Sequence, residues 1–172
     1  MRTPCRALLL GALLVTIADS SVAEAQDGGR ATLDATAGWV GFADDSIVSE
    51  GMVGGSGRIY LTPRLAVGPE VVFIRGTSHS HYVVTGNVTF DFVRPAGGRG
   101  ASATPYIVLG AGAFWTRQQF PRGVFTSNEG AFTAGVGVRV PIGERVTVGA
   151  EARLGWELHA RINGVVGWRL GR

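Results

Sequence analysis

His79 and His81 stand two residues apart in Thr77-Ser78-His79-Ser80-His81, and a third histidine, His159, lies far along the chain. Imidazole nitrogens are good ligands for a metal such as zinc. No cysteine or carboxylate accompanies them at ligand spacing, so they read as exposed loop residues, and neither a metal nor a cofactor is assigned. Ser80, His81 and His159, with Asp44, Asp45, Glu50 and Glu157, are also residue types that an outer-membrane lipid-editing enzyme uses near a rim. Their spacing is not that of a nucleophile, base and orienting acid, and the chain is expected to be no enzyme. Gly110-x-Gly112 and Gly135-x-Gly137 open no helix and are not nucleotide motifs. There is no lysine anywhere, which excludes both a P-loop and Schiff-base chemistry.

The remaining ionisable residues of interest are Asp34, Arg58, Glu70, Asp91, Arg139, Glu151, Arg153, Arg161 and Arg169. Each occupies the polar side of a segment that alternates apolar with polar or small residues. Period two is the mark of a strand with two unlike faces. Eight such segments are expected, near residues 30–41, 52–61, 65–75, 81–93, 106–117, 131–140, 146–156 and 161–170, bounded by Gly, Pro, Asp and Ser clusters. The seventh is the cleanest: Val146, Val148, Ala150, Ala152, Leu154 and Trp156 face one way, and Thr147, Gly149, Glu151, Arg153 and Gly155 the other. Residues 62–64 and 141–144 are tight turns, and 94–104 is a glycine-rich connector. The longer outer loops are expected at Phe42–Glu50 and Gln118–Ser127.

A strand of about ten residues crosses a tilted path through the hydrocarbon layer, and strands in lipid must close into a barrel. The fold class is therefore all-β: an eight-stranded antiparallel up-and-down transmembrane β-barrel. Alternation alone leaves open a soluble exported barrel that binds an apolar ligand inside. The aromatics favour the opposite orientation. Trp39, Phe73, Tyr82, Trp115, Phe132 and Trp156 fall at one rim, and Phe90, Phe92 and Trp168 at the other, as two aromatic girdles around an apolar band. The polar face is rich in Gly, Thr and Ser, which suits a lumen only wide enough for side chains.

Residues 1–25 read as a cleaved signal peptide: Arg2 and Arg6, an apolar run from Ala7 to Ile17, and the small-x-small site Ala23-Glu24-Ala25. The barrel domain is then 26–172. The one cysteine, Cys5, precedes the apolar run, so no lipid anchor and no disulfide is expected. Mean hydropathy is +0.21 with 17% charged residues, below the quarter usual in soluble domains. The chain carries a net +3, but its arginines are scattered singly, which argues against nucleic acid as a partner.

The stretch FTAGVGVRVPIGERVTVGAEARLGW, from Phe132 to Trp156, resembles the late hairpin of the small outer-membrane barrels of the OmpA/OmpX-like kind. Pro105-Tyr106 followed by Gly110-Ala111-Gly112 resembles that family's fifth strand. The resemblance implies the outer membrane of a Gram-negative-type bacterium, both termini in the periplasm, short periplasmic turns, and assembly by the barrel-insertion machinery. That machinery reads a final strand usually ending in an aromatic residue; this chain ends Trp168-Arg169-Leu170-Gly171-Arg172. Outer-membrane lipid and the insertion machinery are the expected partners, and the barrel is expected to be a monomer with a structural or surface role. Its lumen charges are expected to form a plugging salt-bridge network, Asp34 meeting Arg161 or Arg169 and Glu151 meeting Arg139 or Arg153, because a lone buried charge is very costly. A narrow gated ion path is the alternative.

Overall fold

The computed structural model describes residues 31–43, 47–76, 79–93, 103–120, 123–155 and 159–170. The expected signal peptide and Trp156 lie outside them. Eight strands follow in order: β1 (Ala31–Ala43), β2 (Ile47–Tyr60), β3 (Leu65–Arg75), β4 (His79–Asp91), β5 (Thr104–Phe120), β6 (Gly123–Ile142), β7 (Val146–Gly155) and β8 (His159–Leu170). Each pairs antiparallel with the next, and β8 returns to β1, from Ala31↔Leu170 to Phe42↔His159, so the barrel closes. We call the end holding Ala31 and Leu170 the near end, and the end of the β1–β2 hairpin the far end.

Through most of the wall, side chains alternate between the two faces. Outward-facing Leu33, Trp39, Leu154 and Ile162 are 56–69% exposed, whereas inward-facing Thr32, Asp34, Arg161 and Asn163 are buried. The apolar face is outside, opposite to a ligand-holding soluble barrel. The β2–β3 and β6–β7 turns at the near end are tight. Thr62 Oγ1 accepts from the backbone amide of Leu65 at 3.0 Å, and Leu61 N donates to Leu65 O. The β6–β7 turn needs Gly143, whose φ of 71° lies in the left-handed region that disfavours a Cβ.

Two hairpins are longer than their sequence suggests. β1 and β2 pair up to Ala43↔Ile47, and β5 and β6 up to Phe120↔Gly123. The expected loops at 42–50 and 118–127 are therefore largely strand. From Gly123 to Gly130 side chains on both faces of β6 are mostly exposed, so no alternation is required there and none is written. The described β7 pairs with β6 only from Thr133↔Gly155, leaving this arm of β6 joined to β5 alone among the described residues.

Candidate functional site

The inward face is organised in tiers. Nearest the near end, Asp91 pairs with Arg139 and accepts from the Tyr60 hydroxyl at 3.1 Å. The Arg139 guanidinium also stacks 4.2 Å above the Tyr106 ring, a favourable cation–π geometry. That ring lies across Gly137, its register partner, in space that any Cβ would occupy. On the opposite wall Arg58 grips Asp34 with two hydrogen bonds, of 2.6 and 2.8 Å.

The centre is built on Glu70. It receives Arg161 at 2.7 and 2.9 Å, Arg153 at 3.0 Å, Asn87 at 3.1 Å and Thr85 at 3.2 Å. Arg153 in turn donates to Glu151 at 2.6 Å, and the Tyr106 hydroxyl donates to the same carboxylate at 3.0 Å. Glu70, Glu151, Arg153 and Arg161 are each less than 7% exposed. Charge-assisted bonds of this kind are the strong ones, and a buried carboxylate requires them. The space left among Asp34, Arg58, Glu70 and Glu151 holds about one water.

Beyond this, toward the far end, the lumen turns apolar. Val40, Met52, Val72, Ile74, Val83, Phe114 and Ala131 form one buried cluster, with Phe42 packed on it. Above it Glu50, His79, His81 and His159 gather at the far mouth. Phe42 and Phe114 touch both His81 and His159, with ring centroids 5.0 to 6.1 Å apart. His79 and His81 pack edge to face at 5.0 Å, and His79 Nε2 contacts Glu50 Oε1.

Eight of the nine charges expected on the polar face join this buried set. Arg169 is the exception: it is half-exposed at the near end, and no ion pair reaches its side chain among the described residues. The expected partners of Asp34 are also corrected. Arg161 pairs in register with Val40, six residues along β1 and about 20 Å from Asp34 at strand rise, whereas Arg58 sits diagonally beside it on β2. Glu151 meets Arg153, while Arg139 goes to Asp91. The outward aromatics Trp39, Tyr82, Phe90, Phe92, Phe132 and Trp168 are exposed, and Phe73 and Trp115 half-exposed. Phe73 stacks on its register partner Tyr82 at 4.9 Å.

Sequence spacing missed two features. One is the close approach of Glu50 to the histidines: the sequence groups it with His81 and His159 near one rim, but as a loop residue without ligand spacing. The signal was present: Glu50 has the same parity on β2 as Ser56 and Arg58. The other is the apolar tier, whose members scatter one or two per strand and break the polar stripe without a local pattern. His81 Nδ1 lies 2.9 Å from Thr116 Oγ1, and Asp44, Asp45 and Glu157 fall outside the described residues.

Comparison with known proteins places this geometry. Residues 7–164 match the family model described as outer membrane protein beta-barrel domain. The chain belongs to that family. It is an outer-membrane protein of the Gram-negative type, and its exposed apolar belt faces lipid. The barrel is similar to the N-terminal domain of Pseudomonas aeruginosa OprF, at 14% identity and TM-score 0.66, over 83% of this chain and 99% of that one. It is similar to Neisserial surface protein A at 10% identity and TM-score 0.69, over 81% and 97%. A third similar structure is Ail, the attachment invasion locus protein of Yersinia pestis, at 13% identity and TM-score 0.60, over 83% and 99%. At such identities the likeness is one of fold. No curated protein matches the sequence.

Proposed function

We propose that this outer-membrane barrel is a non-enzymatic, closed membrane insert, with its termini in the periplasm and a surface role at its far end. The observation that carries this reading is the doubly filled lumen. The Glu70-centred network occupies one half of the bore and the Val40–Phe114 cluster the other. An eight-stranded bore has little room left once such side chains enter it. The surface role rests on the β5–β6 hairpin, whose outer arm presents Val124 and Phe125 more than half exposed. Outer-membrane lipid is its solvent, the barrel-insertion machinery its assembly partner, and the monomer its working form.

Planar-bilayer recording on the purified folded protein tests the closed lumen. The expected result is a silent bilayer. Steady single-channel currents would replace this proposal with a narrow pore.

A further inference from the structure

We infer that the far mouth of the barrel is a binding site for a divalent transition metal of the zinc type, held by Glu50, His79 and His81. Glu50 is remote in sequence from His79 and His81, and the barrel register brings it to them. Glu50 lies beside Gly51, the register partner of Arg75, and the β3–β4 hairpin then turns through Gly76 to His79. One ligand atom from each residue lies within 4.8 Å of the others. Two imidazoles and a carboxylate at that separation are the donor set of three-ligand zinc sites that keep a position open.

Glu50 is what separates this group from a chance meeting of histidines. It is 4% exposed, and among the described residues its carboxylate has no hydrogen-bond partner beyond the contact of Oε1 with His79 Nε2. Its neighbours on the inner wall are apolar: Val40, its register partner, and Met52. Burying a carboxylate there is costly unless a cation meets it. The arginines that satisfy the other lumen carboxylates are already engaged with Asp34, Glu70, Asp91 and Glu151. Among the described residues, His79 Nε2 contacts it and His81 stands within 4.8 Å.

The surroundings suit a metal ligand set. Thr116 Oγ1 sits 2.9 Å from His81 Nδ1, and a partner on one ring nitrogen fixes the ring orientation and directs the other nitrogen to the site. Phe42 and Phe114 floor the group and shield it from the lumen. Gly76 closes one side: a Cβ there would overlap Glu50 Oε1 and His79 Nε2. His79, with a quarter of its side chain exposed, leaves access from the far mouth. Nitrogen ligands select borderline metals such as zinc over magnesium and calcium, which require oxygen cages.

Calorimetric titration of zinc into the full folded chain in detergent tests the site. One zinc per barrel is expected, and no heat from magnesium. Loss of an outer-shell partner costs about 10–100-fold in affinity, so Thr116→Val should fall in that range. Glu50→Gln and His79→Asn should each lose at least about 100-fold, more than the outer-shell change. Glu50→Gln conserves shape and removes a buried charge, so the barrel is expected to fold at least as stably, which unfolding in urea without metal checks. Absence of zinc binding by the folded wild-type chain would overturn the site, as would undiminished binding by Glu50→Gln and His79→Asn. Both outcomes are independent of whether the lumen conducts.

Discussion

The near and far halves of the lumen fill one tube with opposite chemistry. Around Glu70, four donors converge on a single carboxylate, and two arginines depend on it. Around Met52 and Phe114, the filling has no directional bonds at all. The charged half is satisfied only as a complete set, because removing one member leaves its partners buried and unpaired. The apolar half is graded: its contribution follows volume, and shape-conserving exchanges are tolerated. One barrel thus fills its bore in two ways, one rigid in composition and one permissive.

The largest expected effect tests the first half. Glu70→Ala removes the carboxylate that Arg161 hydrogen-bonds, leaves Arg153 with Glu151 alone, and should destabilise the barrel by about 3–5 kcal/mol in urea unfolding from lipid vesicles. A loss under about 1 kcal/mol would mean the arginines find other partners, and the all-or-none description would fail. Next, Phe114→Ala should cost about 3 kcal/mol by the same measurement, and Phe114→Leu less than about 1.5 kcal/mol. Equal losses would show the apolar tier to be as exacting as the charged one. On the proposal of a doubly filled bore, neither alanine variant should conduct in a planar bilayer, whereas the double variant should. A conducting single variant would identify the half that seals.

Smaller effects bound the comparison from outside. Val136 faces outward, 59% exposed, on the membrane portion of β6. Val136→Arg should cost about 2 kcal/mol, as charge on a lipid face does, although eight charges are accepted on the inner face. Arg169→Ala should fall within about 0.5 kcal/mol, because that arginine lies outside the paired set. A loss near that of Glu70→Ala would return it to the network.

The wall was legible in the sequence and the filling only partly so. Period two in β7 and β8 fixes which side chains face inward, because a strand between lipid and a polar lumen must alternate. It also places Asp34, Arg58, Glu70, Asp91 and Glu151 inside. It does not pair them. Partners depend on the stagger between neighbouring strands, which puts Arg58 beside Asp34 and carries Arg161 away to Glu70. Where the wall leaves the membrane the rule lapses, and the outer parts of β2, β5 and β6 read as loops. Glu50 reads as a loop residue loosely near His81 and His159, and only the register brings it to ligand distance of His79 and His81. Trp39, Phe90 and Trp168, exposed near strand ends, needed only the alternating direction of successive strands.

The seam between β1 and β8 sets the order of events in assembly. Ala31 finds Leu170, and Leu33 finds Trp168, across nearly the whole length of the chain. Until the last strand exists, one side of the first has no native partner, and closing so long a loop costs chain entropy before any contact repays it. The polypeptide must therefore be kept unaggregated from the emergence of β1 until β8 docks. The slow step of maturation is expected to be this final zipping, with every earlier hairpin waiting on it.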